Sequence, residues 1–193
     1  MDWTIRRATT DAAPAVREIA RESWHAAYDD ILGPDTVADV TDDWYAIEEL
    51  EVSIRKSRET DDEEFLLAVP ARADEASDAD PDPNPDATAS SDAGVSAEIE
   101  GFAHAGLHPD DPTAAYLVRL YVRPGTWGEG TGTALLERIE ATFEPTCDRL
   151  RLTVLADNEI GVSFYESAGF ERVQTRQSDL GDGIDECIYE KAL

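Results

Sequence analysis

The sequence predicts an α/β chain of the α+β kind, with helices packed on the faces of one mixed sheet. Two observations carry that expectation. Stretches of alternating and of helical hydrophobic period follow one another in the order β-α-α-β-β-β-α-β-α-β-β. Three successive strands in mid-chain read as an antiparallel meander, which a doubly wound parallel sheet lacks. At 193 residues with 41% apolar content, the chain can bury one sizeable core. A single domain spanning 1–193 is therefore expected.

The elements follow in order. Trp3, Ile5 and Arg7 alternate as an opening strand. Asp11 is the expected N-cap of a first helix, with Pro14 in its first turn. Val16, Ile19, Ala20, Ser23, Trp24 and Ala27 recur at helical spacing and should face the core, and Gly33-Pro34 ends the run. A second helical region covers 35–58, with a break expected near Thr41, where Thr41-Asp42-Asp43 offers a new cap. Phe65–Val69 is an apolar strand closed by Pro70, and a strand pattern resumes over Ile99–Leu107. Tyr116–Val122 is a strongly apolar strand, followed by the turn Arg123-Pro124-Gly125-Thr126. Thr131–Phe143 repeats Leu135, Ile139 and Phe143 at four-residue spacing, and Pro145 stops that helix. Arg149–Leu155 is a strand, Asn158–Ala168 a helix ended by Gly169, and a strand runs from Phe170. Gly181-Asp182-Gly183 turns into a last strand, Ile184–Lys191.

One stretch differs in kind. Residues 71–98 are dense in Asp, Ala, Ser and Pro and hold almost no large apolar side chain. They cannot bury enough surface to offset ordering entropy, so a disordered acidic loop insertion between neighbouring strands is expected.

The charge is extreme, with 43 acidic residues against 16 basic ones and a formal net charge of -27. Only Lys56 and Lys191 are lysines. Such a surface disfavours nucleic acid and anionic membranes as partners. The acid excess with scarce lysine resembles proteins of salt-accumulating halophiles, in which molar salt shortens the Debye length to about 3 Å. Cys147 and Cys187 form no metal-type spacing, so two reduced thiols and no metal are expected. The start MDWTIRRATT lacks a signal-peptide core, and no apolar run reaches the ~18 residues of a membrane span. A cytoplasmic location is expected.

Chemistry concentrates late in the chain. Trp127-Gly128-Glu129-Gly130-Thr131-Gly132 joins a strand to a helix. Glycines there let backbone N–H groups approach a ligand, and the helix N-terminus adds positive partial charge, which suits phosphate or pyrophosphate. A Walker lysine is missing, which removes the P-loop reading. A degraded dinucleotide fingerprint would instead follow the first strand of a βαβ unit.

The segment LVRLYVRPGTWGEGTGTALLERIE, followed by DNEIGVSFYESAGFE, resembles the GNAT N-acetyltransferase superfamily. That resemblance implies a GNAT-type acyl-CoA N-acyltransferase fold and acetyl-CoA as cosubstrate. The pyrophosphate would meet the loop and helix start at Trp127, Gly128, Gly130, Thr131, Gly132 and Thr133. Trp127 stands where the family usually has Gln or Arg, a departure that removes one side-chain contact. The opening RESWHAAYDDILG is similar to a family helix lining the acceptor side, which makes His25 and Tyr28 candidate substrate residues.

The resemblance further implies that Leu117–Val122 and Arg149–Leu155 splay apart to receive the pantetheine arm. Leu120 and Val122 would hydrogen-bond it, and the Val122 N–H would polarise the thioester carbonyl as an amine attacks directly through a tetrahedral intermediate. Tyr165 would protonate the departing thiolate; it could also simply pack the helix. Asn158 would contact the pantetheine, act as an N-cap, or both. A strand Glu that serves many relatives as general base is missing from AAYLVRLYV, where Tyr116 or Arg119 stands instead. His104 is the candidate base, beside a water chain to the surface. The implied activity is acetyl transfer to a primary amine on a small molecule or protein, in a family whose members are often dimers. The competing readings are a CoA-binding regulatory module with decayed catalysis and a nucleotide-dependent oxidoreductase.

Overall fold

A computed structural model describes residues 2–71 and 99–193; the acidic stretch expected to form a loop lies, but for Ala71, outside them. The chain opens with β1 (Trp3–Arg7), a 3-10 turn (Thr10–Ala12), and the helices α1 (Ala13–Leu32), α2 (Pro34–Trp44) and α3 (Ile47–Glu59). Strands β2 (Glu63–Pro70), β3 (Gly101–His108) and β4 (Asp111–Val122) follow, then α4 (Thr131–Phe143) and β5 (Arg149–Leu155). Helix α5 (Glu159–Ser167), β6 (Glu171–Gln177) and β7 (Asp185–Ala192) complete it. The strands form one mixed sheet in the order β1-β2-β3-β4-β5-β7-β6. Every pairing is antiparallel except β4 with β5, which α4 connects as a crossover.

Each face of the sheet carries its own core. Phe65, Leu67, Val69 and Phe102 pack under α1 and α3 with Val16, Ile19, Trp24 and Ile54. Leu66, Ala68 and Ala103 point to the opposite face and pack with Leu135, Leu136, Ile139 and Phe143 of α4. Strand β2 is thus buried on both sides, which is why it reads as an unbroken apolar run. The mixed α/β architecture is the one expected, with three helices rather than two ahead of β2.

Two local expectations are corrected. The break in the second helical region falls at Tyr45–Ala46, not near Thr41. The Thr41 hydroxyl is buried and donates back to the carbonyls of Val37 (2.9 Å) and Ala38 (3.1 Å), so it continues the helix instead of capping a new one. Asp11 lies within the 3-10 turn, and Ala12 is the N-cap of α1, without a side-chain hydrogen bond. Pro14 does sit in the first turn, and Gly33, with φ 83°, ends the helix.

Cys147 and Cys187 are both free and buried. No described helix is long and apolar enough to cross a membrane, and no group of three metal-ligating side chains occurs among the described residues.

Candidate functional site

The central feature is a wedge in the sheet. Strands β4 and β5 pair only from Ala114–Leu117 to Arg149–Leu152. Past that point β5 stays with β7, Thr153, Val154 and Leu155 facing Ile188, Cys187 and Glu186, while β4 stays with β3. The register on β3 moves from Leu117 to Arg119 as it passes from Ala105 to His104, leaving Val118 as an extra residue. Such a bulge bends its strand, and β4 turns away from β5 there.

The wedge exposes backbone. Arg123 N–H donates to Glu100 O (2.8 Å) on the β3 side. Peptide groups alternate along a strand, so those of Val122 and Leu120 point the other way, into the wedge. The Val122 carbonyl is already held there, accepting from Ser23 Oγ and from Trp127 Nε1, each at 2.7 Å. A cleft of about 490 Å³ occupies the wedge, lined by β4 from Leu117 to Val122, α1, the glycine-rich turn and α5.

The turn meets the cleft as an anion cradle. Gly128 (φ 82°) and Gly130 (φ 88°) adopt left-handed backbone, and a Cβ at either would touch nothing within 4 Å. Gly130 is the N-cap of α4 and offers no side-chain cap. The first-turn N–H groups of Thr131, Gly132 and Thr133 therefore have no intrahelical partner, and the helix dipole adds to their pull on an anion. Trp3 Nε1 donates to Glu129 O (3.1 Å), so β1 braces the turn from outside. This donor set fits a pyrophosphate. Gly128, Gly130, Gly132, Thr133 and Trp127 line the cleft; Thr131 is buried behind it, its hydroxyl without a hydrogen-bond partner.

Tyr165, Asn158 and Tyr28 reach the cleft from two helices. Burial pushes the Tyr165 phenol above its ordinary range, reinforced by Tyr28 and Tyr116, so it keeps its proton at neutral pH. Burial likewise pushes Tyr28 up to about 12. The Asn158 amide is used at both ends: Oδ1 accepts from Gly161 N–H (3.0 Å), capping α5, and Nδ2 donates to the Tyr28 hydroxyl (2.9 Å). Asn158 thereby ties α1 to α5, and its amide keeps a second N–H and a second lone pair that these two bonds do not use. Asn158→Ala should cost about 1–2 kcal/mol of stability, as lost caps do. Asn158→Asp, which keeps the capping oxygen, should retain most of it; equal losses in denaturant melts would show that the cap is not what matters.

The two candidate histidines stand apart from the cleft lining. His25 pairs with Asp29 at 2.8 Å on the outer side of α1. His104 is buried on β3, stacked on Phe65 with ring centroids 5.0 Å apart, and lies 3.6 Å from Glu63. Burial and the charge of Arg119 push it down to about 4, against an attraction from Glu63, so the ring is neutral at pH 7. His104→Leu should leave kcat essentially unchanged in steady-state assays. Because the unfolded imidazole titrates at 6.5 and the folded one near 4, wild-type stability is complete above about pH 6.5 and falls as pH drops toward 4. Each unit of that gap is worth about 1.4 kcal/mol. His104→Leu should flatten this acid limb in denaturant midpoints compared at pH 7.5 and 5.

Several lining residues escaped sequence reasoning. Ser23 looked like part of the apolar stripe of α1, and its polarity there was the available signal. Phe164, whose ring carbons would lie 3.3 Å from a Cβ added at Gly132, carries no polar group that would mark it in sequence. Arg119 in the sequence marks only the place of a missing acid.

A model of the acetyltransferase (GNAT) family matches residues 15–170. Among solved structures, PaiA N-acetyltransferase from Thermoplasma acidophilum, in complex with coenzyme A, is 25% identical with a TM-score of 0.75, over 100% of both chains. An acetyltransferase of the same family from Streptococcus pneumoniae is 21% identical with a TM-score of 0.67, over 100% of this chain and 99% of that one. The ribosomal-protein-S18-alanine N-acetyltransferase of Escherichia coli is 19% identical with a TM-score of 0.61, over 99% and 94%; the last two likenesses concern the fold alone. No curated protein matches the chain.

Proposed function

The chain belongs to the acetyltransferase (GNAT) family, and from that premise we propose that it is an acetyl-CoA-dependent N-acetyltransferase acting on a primary amine. The observation that carries this reading is the coincidence of the β4–β5 wedge and the glycine cradle on one cleft. The coenzyme A in the Thermoplasma acidophilum relative supports it. Acetyl-CoA, when bound, supplies the thioester.

The chain's own residues supply the rest. N–H groups around Gly128, Gly130, Gly132 and Thr133 receive the pyrophosphate, and Leu120 and Val122 offer main-chain partners to the pantetheine arm. The Val122 N–H is placed to hydrogen-bond the acyl oxygen where negative charge develops. The Val122 carbonyl, in the next peptide unit, is fixed by Ser23 and Trp127, which anchors the end of β4 beside that N–H. Tyr165 holds the proton that a departing thiolate needs.

None of the described lining residues is Asp, Glu or His, so no carboxylate or imidazole among the described residues of the lining is available to take the amine's proton. The amine would enter neutral or lose its proton to water. That same observation favours the second reading, a CoA-binding regulatory module. Thiol release from acetyl-CoA across an amine panel decides between them, beside calorimetry of acetyl-CoA binding. Turnover with any amine supports the enzyme, whereas binding without turnover favours the module. A halophilic, cytoplasmic setting with all 193 residues in one domain is part of the proposal, so the assays belong at both low and molar salt.

A further inference from the structure

Most basic side chains on the sheet are neutralised by the protein itself. Arg123 meets Glu18 (3.1 Å) and Glu22 (2.6 Å), Arg149 meets Asp111, and Arg151 meets Glu190. Arg119 is different. It is the only charged residue among the described residues lining the cleft, and no carboxylate of the described residues pairs with it. Its guanidinium lies over the Tyr45 ring, 5.0 Å from the centroid, and Nη2 donates to the Trp44 carbonyl (3.3 Å). Nη1 is buried with no hydrogen-bond partner. Across the ladder stands His104, whose ring nitrogens also lack hydrogen-bond partners.

A partly buried cation left unpaired is costly, and it is unexpected in a chain with 43 acidic residues to choose from. The α2–α3 junction holds the guanidinium in one place while leaving N–H donors over. Both features suit a positive charge kept for a ligand.

We infer that Arg119 binds an anionic group on the acceptor, and that the acetylated amine belongs to a small amino acid or a similar low-mass aminocarboxylate. This inference rests on the acetyl-transfer reading above. Arg offers a carboxylate charge-assisted N–H bonds. Arg119 lies three residues before Val122, about 10 Å along β4 at a strand's rise of ~3.3 Å per residue. That offset matches an aminocarboxylate whose amine and acid stand several carbons apart, as in ω-amino acids. A polyamine acceptor would set a second cation against Arg119, which disfavours it.

Matched acceptors test this. ω-Amino acids of graded length, their methyl amides, and diamines of the same lengths are assayed by thiol release at saturating acetyl-CoA. The amino acids should show kcat/KM about 10–100-fold above their amides, the range of a hydrogen bond to a charged group, with the difference mainly in KM. Arg119→Gln should abolish that preference and Arg119→Lys keep part of it, with the KM for acetyl-CoA unchanged in both. Amides or diamines used as well as the acids, or a preference that survives in Arg119→Gln, would overturn the inference and leave acetyl transfer standing. Acetyl-CoA binding without thiol release to any amine would overturn both. Should Arg119→Gln fail to fold, the wild-type ratios still decide.

Discussion

Tyr165→Phe is expected to lower kcat about 10–10³-fold with little change in acetyl-CoA affinity, the lower part of the range for general acids. The lower part applies because a thiolate leaves more readily than an alkoxide or amide; its conjugate acid has a pKa of only ~8.5. The substitution removes one hydroxyl and keeps the ring, which packs edge-on against Phe164 (5.1 Å) and Phe170 (5.7 Å). Loss of rate can then be assigned to the missing proton and not to a shifted helix. The phenol is pushed above its ordinary range by burial, so it stays protonated through any practical assay pH and should impose no alkaline fall in kcat near 10. Burst measurements with saturating acetyl-CoA separate chemistry from release. Unchanged turnover in Tyr165→Phe would remove the acid role and direct attention to Tyr28, whose hydroxyl shares the cleft and is likewise held protonated, near 12.

The sequence makes local, strongly periodic elements plain and leaves cross-chain relations hidden. Helix α4 spans Thr131–Phe143, the bounds read from its four-residue repeat and its flanking glycine and proline. The second helical region shows the limit of local reasoning. Thr41-Asp42-Asp43 has the chemistry of a cap, but Val37, one turn earlier, and Thr41 itself are both buried, and packing carries the helix onward. Period-two alternation places His104 on a sheet face without saying whether that face opens to the cleft. It lies stacked on Phe65 instead. Asn158 and Tyr28 are 130 residues apart, and nothing local to either announces their hydrogen bond. The wedge is intermediate. The resemblance implies that β4 and β5 part, but the cause, one extra residue at Val118, is visible only in the register against β3.

Gly132→Val is the substitution expected to damage cofactor binding most while leaving the fold in place. Gly130 and Gly132 look equivalent in sequence, but their physical demands differ. Gly130 needs its left-handed φ of 88° and faces open space, so Gly130→Ala should act through backbone strain, about 1–2 kcal/mol of stability. Gly132 has no positive φ; a Cβ there would stand 3.3 Å from two Phe164 ring carbons and 3.6 Å from Leu120 Cδ2. Leu120 and Phe164 both line the cleft, so relief of the crowding must move its walls. Ala adds a single carbon at a distance that a slight ring shift accommodates, and Ala favours helix over Gly by roughly 0.5–1 kcal/mol. Gly132→Ala should therefore be close to wild type in stability with a small loss of affinity. Val adds two further methyls, an overpacking worth about 1–3 kcal/mol. If that falls on the bound state, acetyl-CoA affinity drops about 5–150-fold, readable by calorimetry. Affinity retained in Gly132→Val alongside a stability loss would mean that Phe164 yields away from the cleft, and that the α4–α5 contact shapes the fold rather than the binding site.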